Sequence, residues 1–88
     1  MASYSYSIRW MPSAERDLRN IDLHAIPRII NAIRSLSDTP LSPHHHKLKG
    51  TENQYRLRVG VYRVLYEVDI GARQVVIIHI RHRGAAYR

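Results

Sequence analysis

The sequence predicts an α+β domain, a small antiparallel β-sheet backed on one face by two N-terminal helices in the order β-α-α-β-β-β. Three observations predict it. The hydrophobic spacing follows a helical period in the first half of the chain and a period of two in the second. The period-two segments are joined by short connections, which pair consecutive strands antiparallel. Each helical segment carries one apolar stripe that can lie on a sheet. The 88 residues suffice for one domain, 1–88, with a thin core and no room for a second.

Ser5 to Trp10 alternates, with Tyr6, Ile8 and Trp10 on one side and Ser7 and Arg9 on the other, which predicts a short first strand. Met11-Pro12-Ser13 ends it, and Pro12 suits the first turn of a helix. Ala14, Leu18 and Ile21 then follow at i, i+4 and i+7, with Glu15, Arg16, Asp17 and Arg19 on the wet side. A second stripe joins Ile26, Ile29, Ile30, Ile33 and Leu36. Proline is tolerated only in the first turn, so Pro27 starts this helix near Ala25. Ser37-Asp38-Thr39-Pro40 closes it.

In the second half, Tyr55, Leu57 and Val59 alternate with Arg56 and Arg58, a half-buried strand with a basic outer face. Gly60 supplies a tight connection or a bulge. Tyr62, Val64, Tyr66 and Val68 alternate with Val61, Arg63, Leu65 and Glu67. Residues 69–73 read as a hairpin turn. Val75 to Arg81 is mostly apolar and is expected inside the sheet, and Gly84 to Arg88 forms a short tail. With helices on one face, the other displays Arg56, Arg58 and Arg63. Arg81 joins them if it sits with Val75, Ile77 and His79 on that side.

The chain has 14 Lys and Arg against seven Asp and Glu, a net charge of +7. The excess is segregated. Residues 1–43 hold five basic and four acidic side chains, whereas 44–88 hold nine and three. A basic half on a small domain points to a polyanionic partner, nucleic acid first. Twelve of the cations are Arg, which grips phosphate with two oriented donors and stacks on bases.

Several classes are excluded. The absence of cysteine removes disulfides, thiolate nucleophiles, iron–sulfur clusters and Cys-based zinc sites. No Gly-rich phosphate loop, paired-carboxylate signature or Ser/His/Asp order is present. The longest apolar run, Val75 to Ile78, is too short for a bilayer, and the start of the chain has no signal-peptide layout, so a cytoplasmic protein without membrane contact is expected. His44-His45-His46 could offer an ion at most two ligands, because neighbours in an extended segment alternate in direction; a solvated loop, with no metal and no cofactor, is expected. His79 reads as a packed, hydrogen-bonded histidine, and His82 as the better candidate for proton transfer near neutral pH.

A cationic cluster with a phenol can cleave RNA without metal. The 2′-hydroxyl attacks the adjacent phosphorus, leaving a 2′,3′-cyclic phosphate and a 5′-hydroxyl. That reaction needs proton removal, stabilisation of charge on the phosphorane-like transition state and protonation of the leaving oxygen. Arginine meets the second need well and the first poorly, since guanidinium stays protonated. Tyr87 could orient the substrate, stack on a base, exchange a proton, or simply anchor the C-terminus in the sheet.

Lys47-Leu48-Lys49-Gly50, the stretch from Tyr55 to Val68, Ile80-Arg81-His82-Arg83 and Tyr87 together resemble the RelE group of the RelE/ParE toxin superfamily, over essentially the whole chain. The resemblance implies a type II toxin that enters the 30S A site of the ribosome and cuts mRNA there, and a RelB-like cognate antitoxin that neutralises it. By position it makes Arg63 and Arg81 the phosphate-binding, transition-state-stabilising arginines and Tyr87 the C-terminal catalytic or stacking tyrosine. Arg58 joins the catalytic set, and Arg56, Lys47, Lys49, Arg83 and His82 the RNA-binding set. Arg56 and Arg58 stand where the best-known members carry two lysines, one a candidate general base, so the base is left open. Two other readings compete: a ParE-like inhibitor of DNA gyrase without nuclease activity, and an inert RNA-binding module.

Overall fold

The computed structural model describes residues 5–41, 46–47 and 53–82. Strand β1 (Ser7–Trp10) runs into helix α1 (Pro12–Arg19), which is followed by α2 (Ile26–Ser35) and by strands β2 (His46–Lys47), β3 (Gln54–Val59), β4 (Tyr62–Asp69) and β5 (Gln74–His82). The strands form one sheet in the order β1-β5-β4-β3-β2. Pairing is antiparallel between β2 and β3, β3 and β4, and β4 and β5. The α+β class and the two N-terminal helices agree with the expectation from sequence. In detail the sheet is mixed, because β1 lies parallel to β5, and it gains the two-residue β2 within a stretch expected to be loop.

Both helices start without a side-chain cap and use proline in the first turn instead. Proline there has no N–H to leave unsatisfied and a φ already suited to helix. The predicted stripes become the core: Ala14, Ile21, Ile29, Ile33 and Leu36 are buried against Val64, Tyr66, Val68, Val75, Ile77 and Ile80. All the strand members lie on the helix-covered face. The segment after α2 is pinned from two sides. Tyr6 N–H donates to the Ser37 carbonyl at 2.7 Å and Ser37 Oγ to the Tyr6 carbonyl at 2.8 Å, while the buried Tyr66 hydroxyl donates to the Pro40 carbonyl at 2.9 Å.

Two turns set the strand registers. Val59 pairs with Tyr62, leaving Gly60-Val61 as a two-residue hairpin loop, and Gly60 has φ +61°. Positive φ at the first central residue is the requirement of a type II′ turn, where glycine is unstrained. The β4–β5 turn is closed by Asp69 Oδ1, which accepts from Ala72 N–H at 3.0 Å.

Candidate functional site

Register builds the site. Arg58 is paired with Arg63 across β3 and β4, and Arg63 with Arg81 across β4 and β5. Directly opposed residues share a face, so three arginines leave the sheet in one transverse row, about 5 Å between neighbours, away from the helices. The next row on that face is Arg56, Leu65 and His79, and the one beyond it Gln54, Glu67 and Val76. Gln54 Nε2 donates to Glu67 Oε2 at 3.2 Å, which occupies the carboxylate of that third row.

Arg81 reaches the row by a route that simple alternation does not give. Val75 is opposite Val68, and Ile77 is opposite Tyr66, all four in the core. The register then skips: Leu65 is opposite His79, so Ile78 is an extra residue. This β-bulge exchanges the faces of everything beyond it. Ile80 turns into the core at 3% exposure, and His79 and Arg81 turn to the arginine side. The sequence-level expectation placed Arg81 with Val75, Ile77 and His79 on one side. In the structure Val75 and Ile77 face the helices, and only the bulge brings Arg81 to Arg63.

Helix α1 holds that irregular segment. β1 pairs with β5 only as far as Ile77, whose carbonyl accepts from Met11 N–H at 2.9 Å. Beyond this point α1 covers the strand edge. Ser13 Oγ donates to the Ile78 carbonyl at 2.7 Å. One turn later Asp17 Oδ2 accepts from Ile80 N–H at 3.0 Å and lies 3.0 Å from His79 Nδ1. Asp17, on the wet side of the helix by its spacing, is instead half-buried against β5.

The electrostatics are one-sided. Arg63 is buried at 8% exposure, Arg56 and Arg81 are half-buried and Arg58 is exposed. Arg56, Arg58 and Arg81 make no ion pair with a carboxylate among the described residues. Like charges directly opposite each other on neighbouring strands repel, and an anion lying across the row relieves that repulsion. A phosphodiester fits, because the guanidinium fork matches its two oxygens.

The remaining candidates fall elsewhere. His82 is paired with Tyr62 on the opposite face from the arginine row, its ring edge-on to that tyrosine with centroids 5.3 Å apart. Lys47 pairs through its backbone with Tyr55, and its side chain lies outside the described residues, as do Lys49, Arg83 and Tyr87. His79, read from sequence as a packed, hydrogen-bonded histidine, is hydrogen-bonded to Asp17 and lies on the arginine face. On the helix side, Ile8, Trp10, Leu18, Ile30 and Ile33, together with Glu15, Arg19 and Arg34, line a mainly apolar groove of about 560 Å³.

Comparison with known proteins gives the family and the fold. Residues 8–87 match the family described as ParE toxin of type II toxin–antitoxin system. Toxin RelG of Mycobacterium tuberculosis is 33% identical over 94% of this chain and 97% of its own. Among solved structures, the RelBE2 toxin–antitoxin complex of M. tuberculosis matches with a TM-score of 0.79 at 30% identity, covering 90% of this chain and 92% of that one. The archaeal RelE–RelB complex of Pyrococcus horikoshii matches with a TM-score of 0.79 at 26% identity, covering 93% and 99%. A sheet of this topology and a family match running nearly end to end make the chain a RelE-type toxin of the RelE/ParE superfamily of type II toxin–antitoxin systems.

Proposed function

We propose that this toxin is a ribosome-dependent endoribonuclease that cleaves mRNA in the 30S A site by attack of a 2′-hydroxyl on the neighbouring phosphorus, without metal or cofactor. The observation that carries the reading is the Arg58–Arg63–Arg81 row. Bidentate donors already fixed by the sheet meet the charge that builds on the non-bridging oxygens, with little reorganisation at the moment of reaction. In this reading Arg63 and Arg81 stabilise the transition state, with Arg58 beside them. Arg56, Lys47, Lys49 and Arg83 hold the flanking RNA backbone, and Tyr87 stacks on a base or takes part in proton transfer.

A RelB-like antitoxin belongs to the same proposal. The mycobacterial and archaeal relatives were solved as complexes of toxin with antitoxin. The apolar groove beside α1 and α2 offers an amphipathic segment a place to bury apolar anchors. A ParE-like attack on DNA gyrase is the less favoured reading, since the curated relatives are RelE and RelG toxins.

Mapping mRNA ends on translating ribosomes tests the proposal. Addition of the toxin should create new 5′-hydroxyl ends within A-site codons while gyrase supercoiling proceeds unchanged. Intact mRNA together with inhibited supercoiling would reverse the assignment.

A further inference from the structure

On the nuclease reading, on which this inference rests, the described arginine row itself supplies no base. Arg56 and Arg58 cannot take a proton near neutral pH, because guanidinium stays charged. Among the residues of the arginine face whose side chains are described, His79 carries the imidazole, the side-chain type suited to proton exchange near neutrality. It stands in the row next to Arg58–Arg63–Arg81, two residues before Arg81 on the same strand and face. Its side chain is 31% exposed, accessible rather than sealed in the core.

The ring is also held in a defined state. Asp17 Oδ2 lies 3.0 Å from His79 Nδ1 and 3.0 Å from the backbone nitrogen of Ile80, whose N–H it accepts. The backbone bond fixes the carboxylate, and the carboxylate in turn fixes the imidazole. With a proton on Nδ1 donated to Asp17, Nε2 is left as the acceptor. A carboxylate orienting an imidazole in this way also stabilises the imidazolium that forms when the ring takes a proton. The charged groups around this ring are Asp17 of α1, and Arg63 and Glu67 of β4 in the rows on either side, with Arg81 on its own strand and Arg56 of β3 two strands away beyond Leu65.

We infer that the Asp17–His79 pair is the proton-accepting group of the cleavage reaction, with His79 the catalytic base and Asp17 its positioning residue. Nε2 takes the proton of the 2′-hydroxyl as the 2′-oxygen bonds to phosphorus. The bond from phosphorus to the 5′-oxygen breaks, and that oxygen takes a proton from water. The imidazolium then returns its proton to solvent.

The test is the pH dependence of single-turnover cleavage on ribosomes for wild type, His79→Ala, His79→Gln and Asp17→Asn. The wild-type rate should rise with pH through the histidine range to a plateau. Both His79 variants should lose that limb and fall by about 10²- to 10⁴-fold, the usual contribution of a general base. Added imidazole should restore cleavage to His79→Ala and not to Arg81→Ala, which a merely structural histidine would not allow. Asp17→Asn can still accept from Ile80, so it should remain folded while the limb moves. Wild-type cleavage with an unaltered pH limb in His79→Ala overturns this inference and leaves the nuclease reading standing. Absence of cleavage by wild type overturns both.

Discussion

A guanidinium acts at a phosphate through position as much as charge, and the row makes that distinction measurable. Arg81→Lys keeps the charge and loses the planar fork. It should retain binding to a single-stranded RNA while cleavage falls by about tenfold or more, because the geometry needed in the transition state is lost. Equal rates for wild type and Arg81→Lys in a single-turnover assay would show that bulk charge suffices. Tyr66 supplies a second test at this scale. Burial, with a smaller effect from Tyr55 stacked on it, pushes its phenol pKa well above the ordinary value near 10. The folded state therefore holds the neutral phenol as the donor to Pro40. An unfolded tyrosine ionises from about pH 10, so the unfolded state binds fewer protons there and stability falls as pH rises above that point. Urea unfolding of Tyr66→Phe should show a shallower alkaline loss than wild type, with about 1 kcal/mol less stability at pH 7 from the missing buried hydrogen bond. Individual identities such as Arg63 and Tyr66 were legible in the sequence from period-two alternation alone. The place of His79 on the arginine face was not, because alternation without a bulge puts it on the same side as Ile77.

At the level of elements, the bulge at Ile78 and the helix that grips it decide where the arginine row lies. Removing Ile78 takes out the extra residue and leaves Ile77 opposite Tyr66, His79 opposite Leu65 and Arg81 opposite Arg63 in regular alternation. Cleavage should therefore persist in the deletion variant if it retains a native-like circular dichroism spectrum, and its loss would mean that the bulge does more than set the faces. Ser13→Ala removes the donor to the bulge carbonyl and is the milder perturbation. It should lower the cleavage rate by about tenfold, on the principle that small misplacements of a catalytic group are expensive. Wild-type rates in Ser13→Ala would mean that the bulge holds without the helix. Gly60 makes the opposite case, since it acts on stability alone: an added Cβ strains a φ of +61° and meets Arg28 Nη2 at 2.7 Å. Gly60→Ala should cost about 1–2 kcal/mol in denaturant titration, mostly from the backbone, because the arginine tip can move aside. The helices, the hairpin turns and β3 to β5 could be read in advance from stripes, prolines and turn residues. The parallel seat of β1 beside β5, the short β2 and the bulge could not. Each is set by which edge remains available once the other strands have paired, which is a property of the assembled sheet.

Seen as a whole molecule, the chain separates its two chemistries by face. Apolar side chains of both helices and one side of the sheet make the core, while the opposite side of the sheet gathers Arg56, Arg58, Arg63 and Arg81 of the basic half. The helix layer also leaves its groove beside β1 open. Such a platform should bind single-stranded RNA with an affinity that declines as salt rises, by a slope of about 0.7 per phosphate neutralised. Arg58→Ala should reduce that slope, and an unchanged slope would place the RNA on another surface. The segregation of charge was visible in the sequence; its convergence on one row required the register.

The central claim is that the Arg58–Arg63–Arg81 row engages the scissile phosphate, and the most direct measurement compares single-turnover mRNA cleavage on ribosomes by Arg81→Ala and Arg34→Ala. Both remove one positive charge, but Arg34 is exposed on α2 in the helix layer. We predict a loss of about 10²-fold or more for Arg81→Ala, as for removal of a preorganised transition-state donor, and less than about twofold for Arg34→Ala, as expected for a surface charge remote from the reaction. Equal losses in the two variants would contradict the account.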